Sequence, residues 1–342
     1  MRDSAQSGAL RRRLIVLGAL LLAGATALLA VPDLRAAAHR AASISPGWLI
    51  GAVALELASC LSFIAIFRRF FAELPAPEAR RLAWIEMGSG ALLPGGGLGS
   101  LAAGGVLLRR GGMSTGRIVE KSSRLFFLTS GTSVLALESA ALLLVLDVGG
   151  GPHGLALTVI RAAVGIAGAA LVLAVSRSRL HGKWRSRASR SVVDGISQAE
   201  HELLRPHWRL LGALGYLAFD IAVLGLTCAA VGHPIGAPVL VLAYVIGYAA
   251  NSLPVPGGIG VLEGGLVGAL TVYGAPVMPA TAAVLIYHAI AFWIPSLGGA
   301  MAYLVTSASR QRGSLTARAR RPCEDQVHRP HSPAVAPSPS AS

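Results

Sequence analysis

The sequence predicts an all-α integral membrane protein with about six full transmembrane helices and two opposed re-entrant helical hairpins that form an inverted repeat. Three observations carry that reading. Hydrophobic residues fill 54% of the 342 positions and charged residues only 13%, with a mean hydropathy of +0.62, which is more apolar side chain than one soluble core can bury. Six apolar stretches approach or exceed the roughly 20 residues that a helix needs to span a bilayer. Two further stretches are broken near their middle by Pro/Gly clusters, and the arms on either side are about half a membrane long at a rise of about 1.5 Å per residue.

Taken in order, residues 1–13 form a basic segment ending in Arg11-Arg12-Arg13, expected in the cytoplasm. The run 14–31 also fits the apolar region of a signal peptide. Its 18 residues exceed the apolar core of an ordinary signal and lead into further spans, so it reads as a retained first helix. Residues 46–67 give the second span, and 82–108 the first broken stretch, with Pro94, Gly96, Gly97 and Gly99 at the break. Spans at 125–146, 155–175 and 210–231 follow. The second broken stretch, 239–273, carries Pro254, Pro256, Gly257, Gly258 and Gly260 at its interruption, and 280–305 is the last span. A membrane domain over 14–305 thus gives way to 306–342, a basic tail that turns Pro/Ser-rich and has too little apolar area to fold; it is expected to be disordered and cytoplasmic.

Lys and Arg placement orients these elements, because short cytoplasmic loops carry the excess. Residues 177–209 hold eight Lys/Arg against three acids, whereas 147–154 and 232–238 hold none and are expected outside. With both termini in the cytoplasm, six crossings close only if each broken stretch enters and leaves on one side. The first would enter from the cytoplasm and the second from outside. The competing reading makes each arm a full tilted span, for which 82–93 and 98–108 are short. The segment "GGLGSLAAGG" (96–105) also aligns with "GGIGVLEGGL" (257–266) at an offset of 161 residues. Opposite entry sides make that an inverted repeat, an arrangement of transporters with a midplane site; chance likeness between Gly-rich helices is the plain alternative.

The net charge of +14 is spread between apolar runs and in the tails, not in an aromatic-interleaved patch. Anionic lipid head groups therefore account for it better than nucleic acid. Cys60 and Cys228 lie in apolar runs and Cys323 in the tail, which offers no disulfide framework. The G-x-G-x-x-A match at 97–102 has no strand before it, and no metal, acyl-transfer or phosphate-cradling motif occurs. No cofactor, metal or enzymatic chemistry is expected.

What remains is a set of acids at membrane depth. Glu56, Glu138 and Asp220 fall near the middle of their spans, Glu86 lies in the ingoing arm of the first hairpin, and Glu263 begins the outgoing arm of the second. Facing lipid, each would cost several kcal/mol, so Asp220 in particular is expected to face the interior. Candidate counter-charges are Lys121, Arg124 and Arg161. The substrate-binding candidates are Glu263, Asp220, Glu86 and Arg124, joined by Ser100 and Asn251 beside the two breaks. The structural alternative is that the mid-span acids are protonated or hydrogen-bonded between helices. Glu263 aligns with Ala102, so the acid belongs to one half only, is not expected to be needed for the hairpin to fold, and is the foremost ligand candidate. Arg109, Arg110 and Arg117 read as positive-inside anchors, and His288 as a packed histidine.

With "LLPGGGLGSLAAGGVLLRRGGMS" (92–114) early and "LPVPGGIGVLEGGLVGAL" (253–270) late, the chain resembles the flippase-like family typified by the membrane domain of lysylphosphatidylglycerol synthases, over roughly 10–305. The resemblance implies movement of an aminoacylated or other polar lipid between leaflets of the cell membrane. Ser100 and the small residues after it stand where members often carry an acid and then a basic residue, which leaves head-group preference open. The tail is too short for an aminoacyl-transfer domain, so a separate lipid-modifying enzyme is implied as partner. Two other classes compete. One is a membrane-embedded lipid-modifying enzyme, for which Ser100 and His288 would have to pair; the other is a non-transporting scaffold acting through the basic loop and tail.

Overall fold

The computed structural model describes residues 44–93, 97–146, 208–250 and 260–327, and every regular element among them is an α-helix. Eight follow one another: α1 (Pro46–Phe70), α2 (Ala76–Leu92), α3 (Gly97–Arg110), α4 (Thr115–Val145), α5 (Trp208–Ala230), α6 (Ala237–Ala250), α7 (Val261–Val272) and α8 (Val277–Val327). Four stretches are long and apolar enough to cross a bilayer: Pro46–Phe70, Thr115–Val145, Leu211–Ala230 and Val277–Ser307. The spans expected at 14–31 and 155–175 lie outside the described residues. So do Pro94, Gly96, Asn251, Pro254, Pro256, Gly257, Gly258 and Arg161.

Local chemistry explains where the helices begin and end. A proline in the first turn of α1 and of α2 supplies a preset φ where no amide partner is needed. Arg68 and Arg69 close α1 at the negative end of its dipole. The helix α4 starts at Thr115, ahead of the apolar run expected from 125, because its first turns carry Arg117, Glu120, Lys121 and Arg124. At the start of α7, Gly260 has φ +86°, a left-handed conformation open to glycine at little cost. Its amide donates to the Glu263 carboxylate at 2.6 Å. This is half of a capping box, since glycine has no side chain to return the bond.

The packing follows a regular scheme. The helix α1 lies along α5, α2 packs on α3, and α6 packs on α7. The helix α2 also leans on the long α8, and α6 on the long α4. The remaining contacts come in matching pairs: α1 with α2 as α5 with α6, α3 with α4 as α7 with α8, α1 with α4 as α5 with α8, and α1 with α8 as α4 with α5.

Small residues set the closest approaches, as in membrane bundles generally. Between α1 and α5, a Cβ on Gly212 would lie 2.7 Å from Ile66 and one on Gly215 3.1 Å from the Ser62 hydroxyl, while the Ser59 hydroxyl donates to the Tyr216 carbonyl at 2.9 Å. Between α2 and α8 the backbones themselves meet. A Cβ on Gly88 would lie 2.7 Å from the Pro295 carbonyl oxygen, one on Gly299 would lie 2.8 Å from the Trp84 carbonyl oxygen, and Gly298 takes the face of the Trp84 ring.

The apolar core falls into two main clusters. One joins α5 to α8 around Leu224, Leu266, Leu270 and Tyr287; the other joins the end of α1 to α2, α3 and α4 around Phe67, Phe71 and Leu128. Outside them, Leu61, Leu142, Leu211, Leu297 and Met301 are each at least 57% exposed. A surface of that kind is unfavourable in water and suited to acyl chains. The molecule is a membrane protein.

Candidate functional site

Asp220, placed mid-helix by the run that forms α5, points inward and is 6% exposed. Its two carboxylate oxygens accept from different helices. The Tyr244 hydroxyl of α6 donates to Oδ2 at 2.5 Å, and the Tyr287 hydroxyl of α8 donates to Oδ1 at 2.9 Å. A third hydroxyl, that of Tyr248, lies 2.9 Å from the Tyr287 hydroxyl. Tyr244 and Tyr248 are four residues apart on α6, and their rings stack at 4.5 Å. One carboxylate thus ties three helices together.

A second acid reaches the same centre from α1. Glu56 is 5% exposed and lies within electrostatic reach of Asp220. Its Oε1 accepts a weak bond from the Cys60 thiol at 3.7 Å, and its buried Oε2 has no hydrogen-bond partner among the described residues. Sequence reasoning marked both acids and missed their surroundings. The tyrosines read as ordinary apolar residues there; the signal was present in the i, i+4 spacing of Tyr244 and Tyr248, which puts two hydroxyls on one helix face.

Glu263 sits in the first turn of α7. One oxygen caps α7 through the Gly260 amide, and the other lies 3.3 Å from His288 Nδ1 on α8. The imidazole stacks on Phe292, with ring centroids 5.8 Å apart. Glu263 therefore takes part in building the start of its own helix, where it was expected to have no structural part, since the first amides of α7 have few other acceptors. Because His288 directly follows Tyr287, consecutive residues of α8 touch the two acids: Tyr287 holds Asp220 and His288 faces Glu263.

The other expected residues are more dispersed. Glu86, 5% exposed on α2, rests its carboxylate against α3, where a Cβ on Gly104 would lie 2.7 Å from Oε2. Ser100 is buried in the first turns of α3, which begin with Gly97 and include Gly99. Arg124 lies at the far end of α1, its guanidinium 5.4 Å from the centroid of Phe70. Lys121 beside it donates to the Phe70 carbonyl at 2.9 Å and pairs with Glu73, and this hydrogen bond holds the Glu73 carboxyl below the usual carboxylate range. On α4, Glu138 keeps one buried oxygen unpartnered. No group of three or more His, Cys, Asp and Glu side chains among the described residues could hold a metal ion.

The arrangement is a buried polar centre between α1, α5, α6 and α8. Among curated proteins none matches the chain. The model of one family, the lysylphosphatidylglycerol synthase transmembrane region, matches residues 15–299, a stretch that takes in both breaks and all of the acids just described. This membrane protein, related to lipid metabolism or transport, belongs to the lysylphosphatidylglycerol synthase transmembrane-region family.

Proposed function

We propose that this chain is a lipid flippase, a transporter that carries the polar head group of a membrane lipid through its interior while the acyl chains remain in the bilayer. The observation that carries the reading is the matched exchange of packing between two halves, each with an interrupted helix pair. The pair α2 and α3 corresponds to α6 and α7, and each ingoing arm leans on the other half's long helix. Arms of 17, 14, 14 and 12 residues are about 18 to 26 Å long, against about 30 Å of hydrocarbon. That supports re-entrant hairpins over full spans. With the loop charges it supports entry from opposite sides, both termini cytoplasmic and a cell-membrane location.

In this reading the breaks form the head-group site, where freed backbone groups need a polar partner and not lipid. Glu263, Asp220 and Glu86 supply acceptors, Ser100 and Asn251 supply neutral polar contacts, and Arg124 supplies a cation at the cytoplasmic mouth. The chain performs no covalent chemistry of its own; a separate enzyme modifies the lipid. A leaflet-resolved lipid assay in vesicles containing only this protein tests the proposal. Faster exchange of a polar-headed phospholipid than in empty vesicles is expected. Equal rates for every head group tried would end the transport reading and leave the scaffold and the embedded enzyme.

A further inference from the structure

We propose that Glu56 and Asp220 form a proton-binding pair in which Glu56 carries the proton and Asp220 the charge, and that loading this pair couples lipid movement to a proton gradient. The site stands on the packing of α1 along α5 and on the hydrogen bonds each acid makes; the coupling rests on the transport reading above.

Two carboxyl groups buried in reach of one another, without a counter-charge among the described residues, do not both ionise, so the pair retains a proton. The hydrogen bonds decide which group has it. Asp220 accepts two hydroxyl donors, from Tyr244 and Tyr287, an environment that favours the ionised form. Glu56 accepts only the weak Cys60 thiol donor, and its Oε2 faces no partner. An ionised Glu56 would leave that oxygen bare, whereas a carboxylic acid leaves only a hydroxyl to place.

No cation competes for the pair among the described residues. The neighbouring elements contribute Cys60 from α1, Tyr216 from α5, Tyr244 and Tyr248 from α6, and Tyr287 from α8, none of them positively charged. Glu86 of α2 lies within electrostatic reach of Tyr216, and α4 carries Glu138. His288 of α8 faces Glu263 of α7. Lys121 and Arg124 of α4 sit beside Phe70, about 20 Å along α1 from Glu56.

The position suits coupling as well as binding. Glu56 belongs to α1 and Asp220 to α5, the axial pair on which both halves are assembled, and the donors to Asp220 come from α6 and α8. A relative movement of the halves changes the distance between the acids, and with it whether a proton is held. The proton comes from water on one side and returns to water on the other, with no bond made or broken except its own.

The test uses the full chain in vesicles. Infrared difference spectra against Glu56→Gln should show in the wild type a protonated-carboxyl stretch at neutral pH that is lost on alkalinisation and is missing from the variant. If the Gln variant does not fold, Cys60→Ala, which removes the thiol donor, should shift the frequency of that band. In the same vesicles, movement of labelled anionic and zwitterionic phospholipids should respond to an imposed pH difference, and Glu56→Gln should lose that response. A band of unchanged amplitude in Glu56→Gln, or of unchanged frequency in Cys60→Ala, puts the proton elsewhere and overturns the site. A wild-type flux indifferent to the pH difference overturns the coupling. If no lipid moves while the band behaves as stated, the transport reading fails and the coupling with it, but the proton site stands.

Discussion

Adding one methyl group where α2 crosses α8 is expected to destabilise the protein, although glycine-to-alanine changes usually strengthen a helix. In a helix interior the exchange gains about 0.5–1 kcal/mol from backbone entropy. At Gly88 the new Cβ would lie 2.7 Å from the Pro295 carbonyl oxygen and 3.0 Å from the Gly299 Cα; at Gly299 it would lie 2.8 Å from the Trp84 carbonyl oxygen and 2.9 Å from the Gly88 Cα. All four obstacles are backbone atoms, so no side chain can swing aside and the helices themselves must part. Overpacking of this kind costs about 1–3 kcal/mol, and separation forfeits dispersion along the rest of the contact. The net expectation is a loss of about 0.5–2 kcal/mol for Gly88→Ala or Gly299→Ala, or roughly 2–4 °C of melting temperature per kcal/mol. Gly268→Ala is the control, because a Cβ there meets nothing within 4 Å, and it should be neutral or mildly stabilising. The double variant should cost less than the sum of the singles, since one parting of the helices serves both methyl groups. Thermal unfolding of the purified variants measures this directly. If Gly88→Ala and Gly299→Ala both melt at or above the wild-type temperature, as Gly268→Ala should, the crossing is not as close as described.

Other perturbations test the polar groups. Tyr287→Phe or Tyr244→Phe should lower stability by about 1–3 kcal/mol, the cost of stripping a donor from a buried charged acceptor, read as a lower melting temperature; no change would mean that Asp220 is not held by these hydroxyls. Glu263→Ala should lose the cap on α7 and about 0.5–2 kcal/mol, whereas Glu263→Gln keeps an acceptor and should melt near the wild type. If Glu263 also serves the head group, the Gln variant will move lipid far more slowly at equal stability, and unimpaired flux would remove it from the site. Glu73 is held below the usual carboxylate range by Lys121, so its pairing contributes above the unfolded-state value and is lost as pH falls through the lower folded value. The Glu73 side chain is half exposed, so Glu73→Gln should cost only a few tenths of a kcal/mol at neutral pH and nothing in acid; a difference that persists unchanged in acid would refute the pairing.

Hydropathy reads the fold well where a helix is apolar throughout. The span expected at 46–67 is α1, Pro46–Phe70, and that at 210–231 is α5, Trp208–Ala230. It is blind to helix ends that sit in the head-group region. The first turns of α4 carry Arg117, Lys121 and Arg124, which an apolar window excludes although their backbone is as helical as the rest. Pro and Gly act through the backbone alone, and α2 ends at Leu92 beside the first cluster while α7 begins at Val261 beside the second; the residues of the clusters lie largely outside the described ones. The inward position of Asp220 was legible too, from the cost of a charge in lipid. Its partners were not, because Tyr244, Tyr248 and Tyr287 come from two other helices, and nothing in a linear sequence brings residues 24 and 67 positions apart to one carboxylate. The capping role of Glu263 was local and could have been read from Gly260 three residues before it.

Because α2 is seated on α8 and α6 on α4, neither half of this chain owns a finished interior. The packing of α2 is complete only once α8 is in place, and that of α4 only once α6 is, so the native arrangement joins helices from both ends of the described chain.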